Sequence, residues 1–148
     1  MAKNRESTRY KSNLQERRIA SRFDEFGGKQ VIGSGSTPFL KGDVITEDFL
    51  IECKTKKEGS TQITVKKEWI EKANEQAYQM RKQYAIIALS FGDDKDYYLM
   101  EPQLFEYLYQ KAKALDKVWE LMNTPGLRCE GLEDALCEAI QDSGLYLE

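Results

Sequence analysis

Across residues 13–26 the apolar side chains Ile19, Ala20, Phe23 and Phe26 recur at helical spacing, a stripe that predicts an amphipathic helix. Ser12 followed by Gln15 has the form of a capping box at its start, and Gly27-Gly28 a stop at its end. Glu16 extends the stripe by one turn, so its carboxylate is expected to point inward. The eleven residues before the cap are polar and basic with no apolar period, which predicts a mobile arm. After the helix come a short strand "KQVIG", a glycine and serine loop "GSGSTPF", and two strands over residues 39–46 and 49–56. "VKKEWIEKANEQAYQMRK" then reads as a second amphipathic helix with Trp69, Ala73, Ala77 and Met80 on its buried side. "YAIIALSF" is a continuous apolar run of the kind found at a sheet centre. "GDDKD" turns the chain into a short strand "YYLM", Pro102 suits the first turn of a long helix through residue 122, and a last helix is expected over residues 132–141. The order αβββαβ, then a strand and two helices, predicts an α/β or α+β fold with a mixed central β-sheet flanked by helices.

The period-2 pattern places chemistry on the hairpin. With Glu47-Asp48 as a two-residue loop, Ile45 faces Leu50, Val44 faces Ile51, Asp43 faces Glu52 and Lys41 faces Lys54. Leu40, Val44, Phe49, Ile51 and Cys53 then form one apolar face, and Lys41, Asp43, Glu52 and Lys54 a charged one. Two carboxylates opposed across a ladder repel each other and are costly to desolvate. Lys54 can neutralise one of them. A divalent cation accounts for the pair more fully, because magnesium takes oxygen ligands and keeps several waters. Asp43, Glu52 and the backbone carbonyl of Cys53 are the candidate ligands, with Glu16 as a further or water-mediated one.

Composition narrows the chemistry further. The chain of 148 residues is read as one domain, with an arm at 1–11, a core at 12–100 and an acidic helical extension at 101–148. It contains no histidine, which removes His-based triads, histidine-ligated zinc and histidine general bases. Cys53, Cys129 and Cys137 match no zinc spacing and are read as small buried apolar residues in a reducing compartment. No apolar run approaches the roughly 20 residues of a membrane span, and no secretory signal is visible, so a soluble cytoplasmic protein is expected. The net charge of −3 hides a gradient: residues 1–30 carry eight basic against four acidic groups, and residues 101–148 carry four against ten. A basic front of this kind can meet a polyanion despite the overall sign.

An acidic residue on one strand and Glu-x-Lys on its hairpin partner resembles the active site of the PD-(D/E)XK nuclease superfamily. The longer pattern is similar to its archaeal and phage-type Holliday junction resolvases: "QERRIASRF" with Glu16, "GSGS" at 33–36, "KGDV" at 41–44 and "IECK" at 51–54, followed by a lysine-rich helix and an apolar strand. The likeness covers about residues 12–91 and leaves the C-terminal third unmatched; Gly42 stands where the superfamily's name has proline. It implies a restriction-endonuclease-like core in which Asp43 and Glu52 bind Mg²⁺ or Mn²⁺ and Glu16 completes the metal site. Lys54 would orient the attacking water or offset charge on the scissile phosphate, a role that agrees with electrostatic catalysis by a nearby ammonium. Ser34, Gly35 and Ser36 could approach the DNA backbone closely, and Lys41, Lys56, Lys57, Lys66 and Lys67 would add phosphate contacts.

The expected function is that of a metal-dependent, structure-specific DNA endonuclease in DNA recombination, acting in the cytoplasm of a bacterium or a phage-infected host. Cutting two strands of a four-way junction needs two active sites, so a homodimer is expected. Two alternatives stay open: a restriction-type or replication-associated nuclease acting on duplex or flaps, and a nuclease-like fold that binds DNA without cutting it.

Overall fold

In the computed structural model of the chain, helix α1 spans Thr8–Arg22 and so begins a turn and more before the expected cap. The described residues are 8–32, 41–57, 59–124 and the single positions Gly131, Asp134 and Glu138. The early start has a tertiary cause. Lys11 donates from Nζ to the carbonyl of Gly92 at 3.3 Å, which anchors a segment that local sequence alone would leave loose. Residues 8–11 are therefore helix rather than arm, and residues 1–7 of the expected arm lie outside the described residues.

The end of α1 is where two glycines were expected to stop it, but the last turn tightens. The α-helix closes at Arg22 and a single 3₁₀ turn, Asp24–Phe26, follows. Gly27 takes a left-handed φ of 71°, and Gly28 donates its N–H to the carbonyl of Phe23 at 2.7 Å. A Cβ on Gly28 would stand 2.6 Å from the Ala20 carbonyl oxygen, so the close return of the chain requires glycine there. The tighter 3₁₀ winding turns Phe26 off the expected stripe, and its ring is exposed. Ile19 is fully buried as expected; its partner one turn earlier is Gln15 rather than Glu16.

Among the described residues, five strands form one mixed sheet in sequence order: β1 (Lys29–Gln30), β2 (Val44–Ile45), β3 (Phe49–Thr55), β4 (Tyr84–Ser90) and β5 (Tyr97–Leu99). β1, β2 and β3 pair antiparallel; β3 and β4 pair parallel through the crossover helix α2 (Lys67–Gln79); β5 returns antiparallel. The hairpin register is the expected one where it is regular, with Val44 opposite Ile51 and Ile45 opposite Leu50. Its loop holds although Glu-Asp is a poor two-residue turn sequence. Thr46 donates its N–H to Phe49 and offers its own hydroxyl to the Phe49 N–H, while Lys82 Nζ caps the carbonyls of Thr46 and Glu47.

β2 is much shorter than the expected 39–46. Gly42 sits at φ +80°, outside strand geometry, and the ladder breaks there. Asp43 donates its N–H to Ile51, the residue already opposite Val44, so two residues of this strand meet one of β3. That is the arrangement of a β-bulge.

Both faces of β3 are covered at its start, which corrects the expectation of one apolar and one charged face. Leu50 packs with Ala73 and Ala77 of α2, joined by Met80 and Ala85, while Ile51 and Cys53 are buried on the opposite side, where α1 packs on β3. A parallel β-α-β unit needs this two-sided burial. The charged pattern begins only at Glu52. β4, expected at the sheet centre, lies one place from it, between the middle strand β3 and the edge strand β5, and has Ile86, Ile87 and Ala88 buried.

The chain divides into two compact units, Met1–Met100 and Glu101–Glu148. In the second, α3 spans Pro102–Met122 with proline in its first turn as expected, and Leu104 and Ala114 are buried. Gly131, Asp134 and Glu138 are helical; the rest of the expected last helix lies outside the described residues. Among the described residues no helix is long and apolar enough to cross a membrane.

Candidate active site

The second half of β3 carries the Glu-x-Lys pair. Alternation puts Glu52 and Lys54 on one face, and Lys54 Nζ meets Glu52 Oε1 at 2.6 Å. The same ammonium lies 5.3 Å from the ring centroid of Trp69 on α2, so it is held between a carboxylate and an indole face. Trp69, expected on the buried side of its helix, is half-buried and serves as this platform.

Asp43 enters from the bulge. Its backbone is fixed on both sides, by its N–H to Ile51 and by its carbonyl, which accepts the Val31 N–H at 2.9 Å. Its Oδ2 accepts the backbone N–H of Cys53 at 2.7 Å. Asp43 is therefore not the ladder partner of Glu52 that the regular register implies, and Lys41 is likewise not paired with Lys54, because regular pairing ends at Val44. The electrostatic coupling survives this change. Burial pushes the Asp43 carboxyl up to about 6, the Glu52 charge pushes in the same direction, the Cys53 N–H pulls back, and Glu16 and Lys54 act more weakly in opposite senses.

Glu16 reaches the neighbourhood from α1 and accepts a hydrogen bond from Gln30 Nε2 at 2.7 Å. It is half-buried, which agrees with an inward carboxylate. The Cys53 thiol is driven up by burial and by the fields of Asp43, Glu16, Glu52 and Asp96, which leaves it protonated and inert. Its role is that of a small buried residue.

Among the described residues no three Asp, Glu or Cys side chains gather closely enough to hold an ion between them. The side chains that could hold a hard cation are then two, Asp43 and Glu52, with water completing the shell. Burial first and the Glu52 charge second raise Asp43, and a cation would offset both; two carboxylates with water can satisfy magnesium, which dehydrates reluctantly.

Of the expected phosphate contacts, Ser34, Gly35 and Ser36 lie outside the described residues. Lys41 is half-buried, and its backbone N–H points to Met80 Sδ at 3.1 Å. Lys56 and Lys57 leave the end of β3 exposed, and Lys66 and Lys67 stand exposed at the start of α2. Lys67 is tied to Glu71 at 2.9 Å.

One cluster escaped the sequence pattern. The side chain of Asp96 is fully buried and takes a two-pronged contact from Arg18, at 2.8 Å to Nε and 2.7 Å to Nη2, and a third from Arg22 Nη1 at 2.8 Å. Gln15 Nε2 adds a bond at 3.2 Å and reaches the Ala88 carbonyl at 3.1 Å. Asp96 in turn raises the Arg18 guanidinium above its ordinary value. Gln15, Arg18 and Arg22 at helical spacing were the available signal, but the two arginines read as part of a basic front and Gln15 as part of a capping box. Two of those positive charges bind the protein's own Asp96 instead of facing a polyanion.

A scan against protein-family models finds no match, and neither a search of curated proteins nor a search of solved structures returns one.

Proposed function

We propose that this chain is a metal-dependent DNA endonuclease with a restriction-endonuclease-like core, acting on branched DNA such as a four-way junction as a homodimer. The observation that carries the reading is the half-buried Asp43, raised to about 6 beside Glu52, with Lys54 in contact with that same Glu52. The αβββαβ order and the exposed lysines after β3 and at the start of α2 support it. So does the start of α2 itself, which has no side-chain cap and leaves N–H groups for an anion.

Asp43 and Glu52 would hold Mg²⁺ or Mn²⁺, which when bound supplies a lowered water pKa and neutralises phosphoryl oxygens. Asp43 uses Oδ2 on Cys53 and Glu52 uses Oε1 on Lys54, so each keeps a second oxygen outside those bonds. Lys54 would move its ammonium from Glu52 toward the scissile phosphate and offset the charge that builds as the water oxygen bonds to phosphorus and one ester P–O bond breaks. Glu16, held by Gln30, would accept a hydrogen bond from water at the site.

The test is nicking of a synthetic four-way junction, a flap and a plain duplex, each with and without Mg²⁺. Cutting that needs the metal, prefers the junction and disappears in Asp43→Asn supports the reading. Metal-independent cutting, or full activity in that variant, refutes it. The reading as a binding fold has one observation in its favour, the absence of a three-donor group among the described residues. It predicts junction binding without cleavage under every metal condition.

A further inference from the structure

Helix α3 is apolar on more than one side. Leu104 and Ala114 are buried, yet Phe105, Leu108, Ala112, Leu115, Trp119 and Met122 are exposed, Leu115 by 73 % and Trp119 by 69 %. The exposed residues recur at alternating steps of three and four along the whole helix, the a and d spacing of a two-helix seam. A helix with a second uncovered apolar stripe is built to meet another surface.

The charges beside the stripe say which. With Phe105, Ala112 and Trp119 as a positions and Leu108, Leu115 and Met122 as d positions, Lys111 falls at g and Asp116 at the following e. In a parallel, in-register pair a g residue meets the e residue five positions later on its mate, so Lys111 of each copy would face Asp116 of the other. An antiparallel pair sets g against g, where α3 offers only Leu104, Lys111 and Val118 and no acid for the lysine. The local contacts of these groups leave them available: Lys111 lies over the Tyr107 ring, and Asp116 meets Lys113 with 65 % of its side chain exposed.

We infer that the exposed stripe of α3 is a self-association surface on which a second copy of this chain seats its own α3 in parallel register, clamped by two symmetric Lys111–Asp116 pairs. The inference rests on the heptad and the charges alone and holds whether or not the protein cuts DNA.

The test is sedimentation of the full chain across a wide concentration range, with helicity followed by circular dichroism. The wild type is expected to be dimeric, and Leu115→Lys to weaken association by about tenfold or more, since a charge would enter the seam. Lys111→Glu and Asp116→Lys are expected to weaken it several-fold each, and the double exchange K111E/D116K to restore it. A wild type that is monomeric throughout overturns the inference. So does a dimer that none of these changes weakens, or a double exchange no better than the single variants, which would rule out the parallel pairing. If Leu115→Lys unfolds, the exchange series decides, because both of its residues are on the surface.

Discussion

Asp43 takes with its side chain the backbone N–H of Cys53 that an unbroken hairpin in the same register would have paired with Gly42. One carboxylate oxygen therefore finishes the ladder, and the charge of the group stays coupled to that of Glu52. This substitution explains how an acid can be both half-buried and kept: its position is fixed by three backbone contacts, at Ile51, Val31 and Cys53. The cost appears as a carboxyl raised to about 6 by burial and by its neighbour's charge.

That shift fixes the sign of a pH effect. The folded-state value lies above the unfolded value near 3.9, so protonated Asp43 favours the fold; this stability is fully present below about pH 4 and is lost as pH rises through 6. Asp43→Asn keeps an oxygen for the Cys53 N–H and carries no charge. In metal-free buffer the variant is expected to match the wild type near pH 4 and to exceed it at pH 8, by an amount of order 1–3 kcal/mol. Urea unfolding at both pH values measures this. A variant less stable at pH 8 than the wild type would mean that the ionised carboxylate is welcome at its site without a cation. On the proposed reading, Mg²⁺ raises the melting temperature of the wild type and not of the variant.

Trp69 offers a separate handle on Lys54. Its ring holds the ammonium at 5.3 Å while Glu52 holds it at 2.6 Å, so removing the ring leaves the charge intact and its direction poorly defined. A cation–π contact of this kind contributes about 0.5–2 kcal/mol. Trp69→Leu is therefore expected to lower kcat on junction DNA by roughly two- to thirtyfold with KM little changed, and Lys54→Ala to lower it further. Quenching of Trp69 emission should differ between the wild type and Lys54→Ala in the absence of DNA. Equal emission would show that the ammonium does not dwell on the ring in solution.

The parts of this fold that sequence patterning exposed are those governed by local period. The run 84–90 and the buried Ala73 and Ala77 follow from alternation and helical spacing, and the register of Val44 on Ile51 follows from a two-residue loop. What escaped depends on groups distant in sequence. Lys11 on Gly92 lengthens α1, and Asp96 takes Arg18 and Arg22 across more than seventy residues. The bulge was hidden in a single residue, Gly42, whose positive φ the alternating pattern does not announce. Of the candidate site, Asp43, Glu52 and Lys54 were legible because charge on a strand is conspicuous. Gln30 and Trp69 were not, since a glutamine on a short strand and a tryptophan on a helix have ordinary reasons to be there.

Gly42 is the cheapest place to break this arrangement. At φ +80° a Cβ is strained wherever it points, and here it would stand 2.7 Å from Cγ of the fully buried Leu50. Gly42→Ala is expected to destabilise the protein by about 1–3 kcal/mol. Combining it with Leu50→Ala removes the collision and leaves the backbone strain. A double-mutant cycle by urea unfolding should then show a loss smaller than the sum of the two. Strict additivity would place the whole cost in the backbone.

Asp96 is a test of what keeps α1, and with it Glu16, on the sheet. Its buried carboxylate is matched by two guanidinium groups, Arg18 with 22 % and Arg22 with 43 % of the side chain exposed. The partners thus differ in how far water can replace the lost contact. Removing the better buried one, Arg18→Ala, leaves the carboxylate with Arg22 and Gln15 and is expected to cost about 3 kcal/mol. Arg22→Ala should cost less, near the 1 kcal/mol of a solvated pair. The two are coupled through one acid, so the double variant should lose more than the sum, because the buried charge then has no cation. Chemical unfolding of the three variants measures the order. Hydrogen exchange in α1 should rise in the same sequence, because the helix is held at Asp96 as well as by the packing of Ile19.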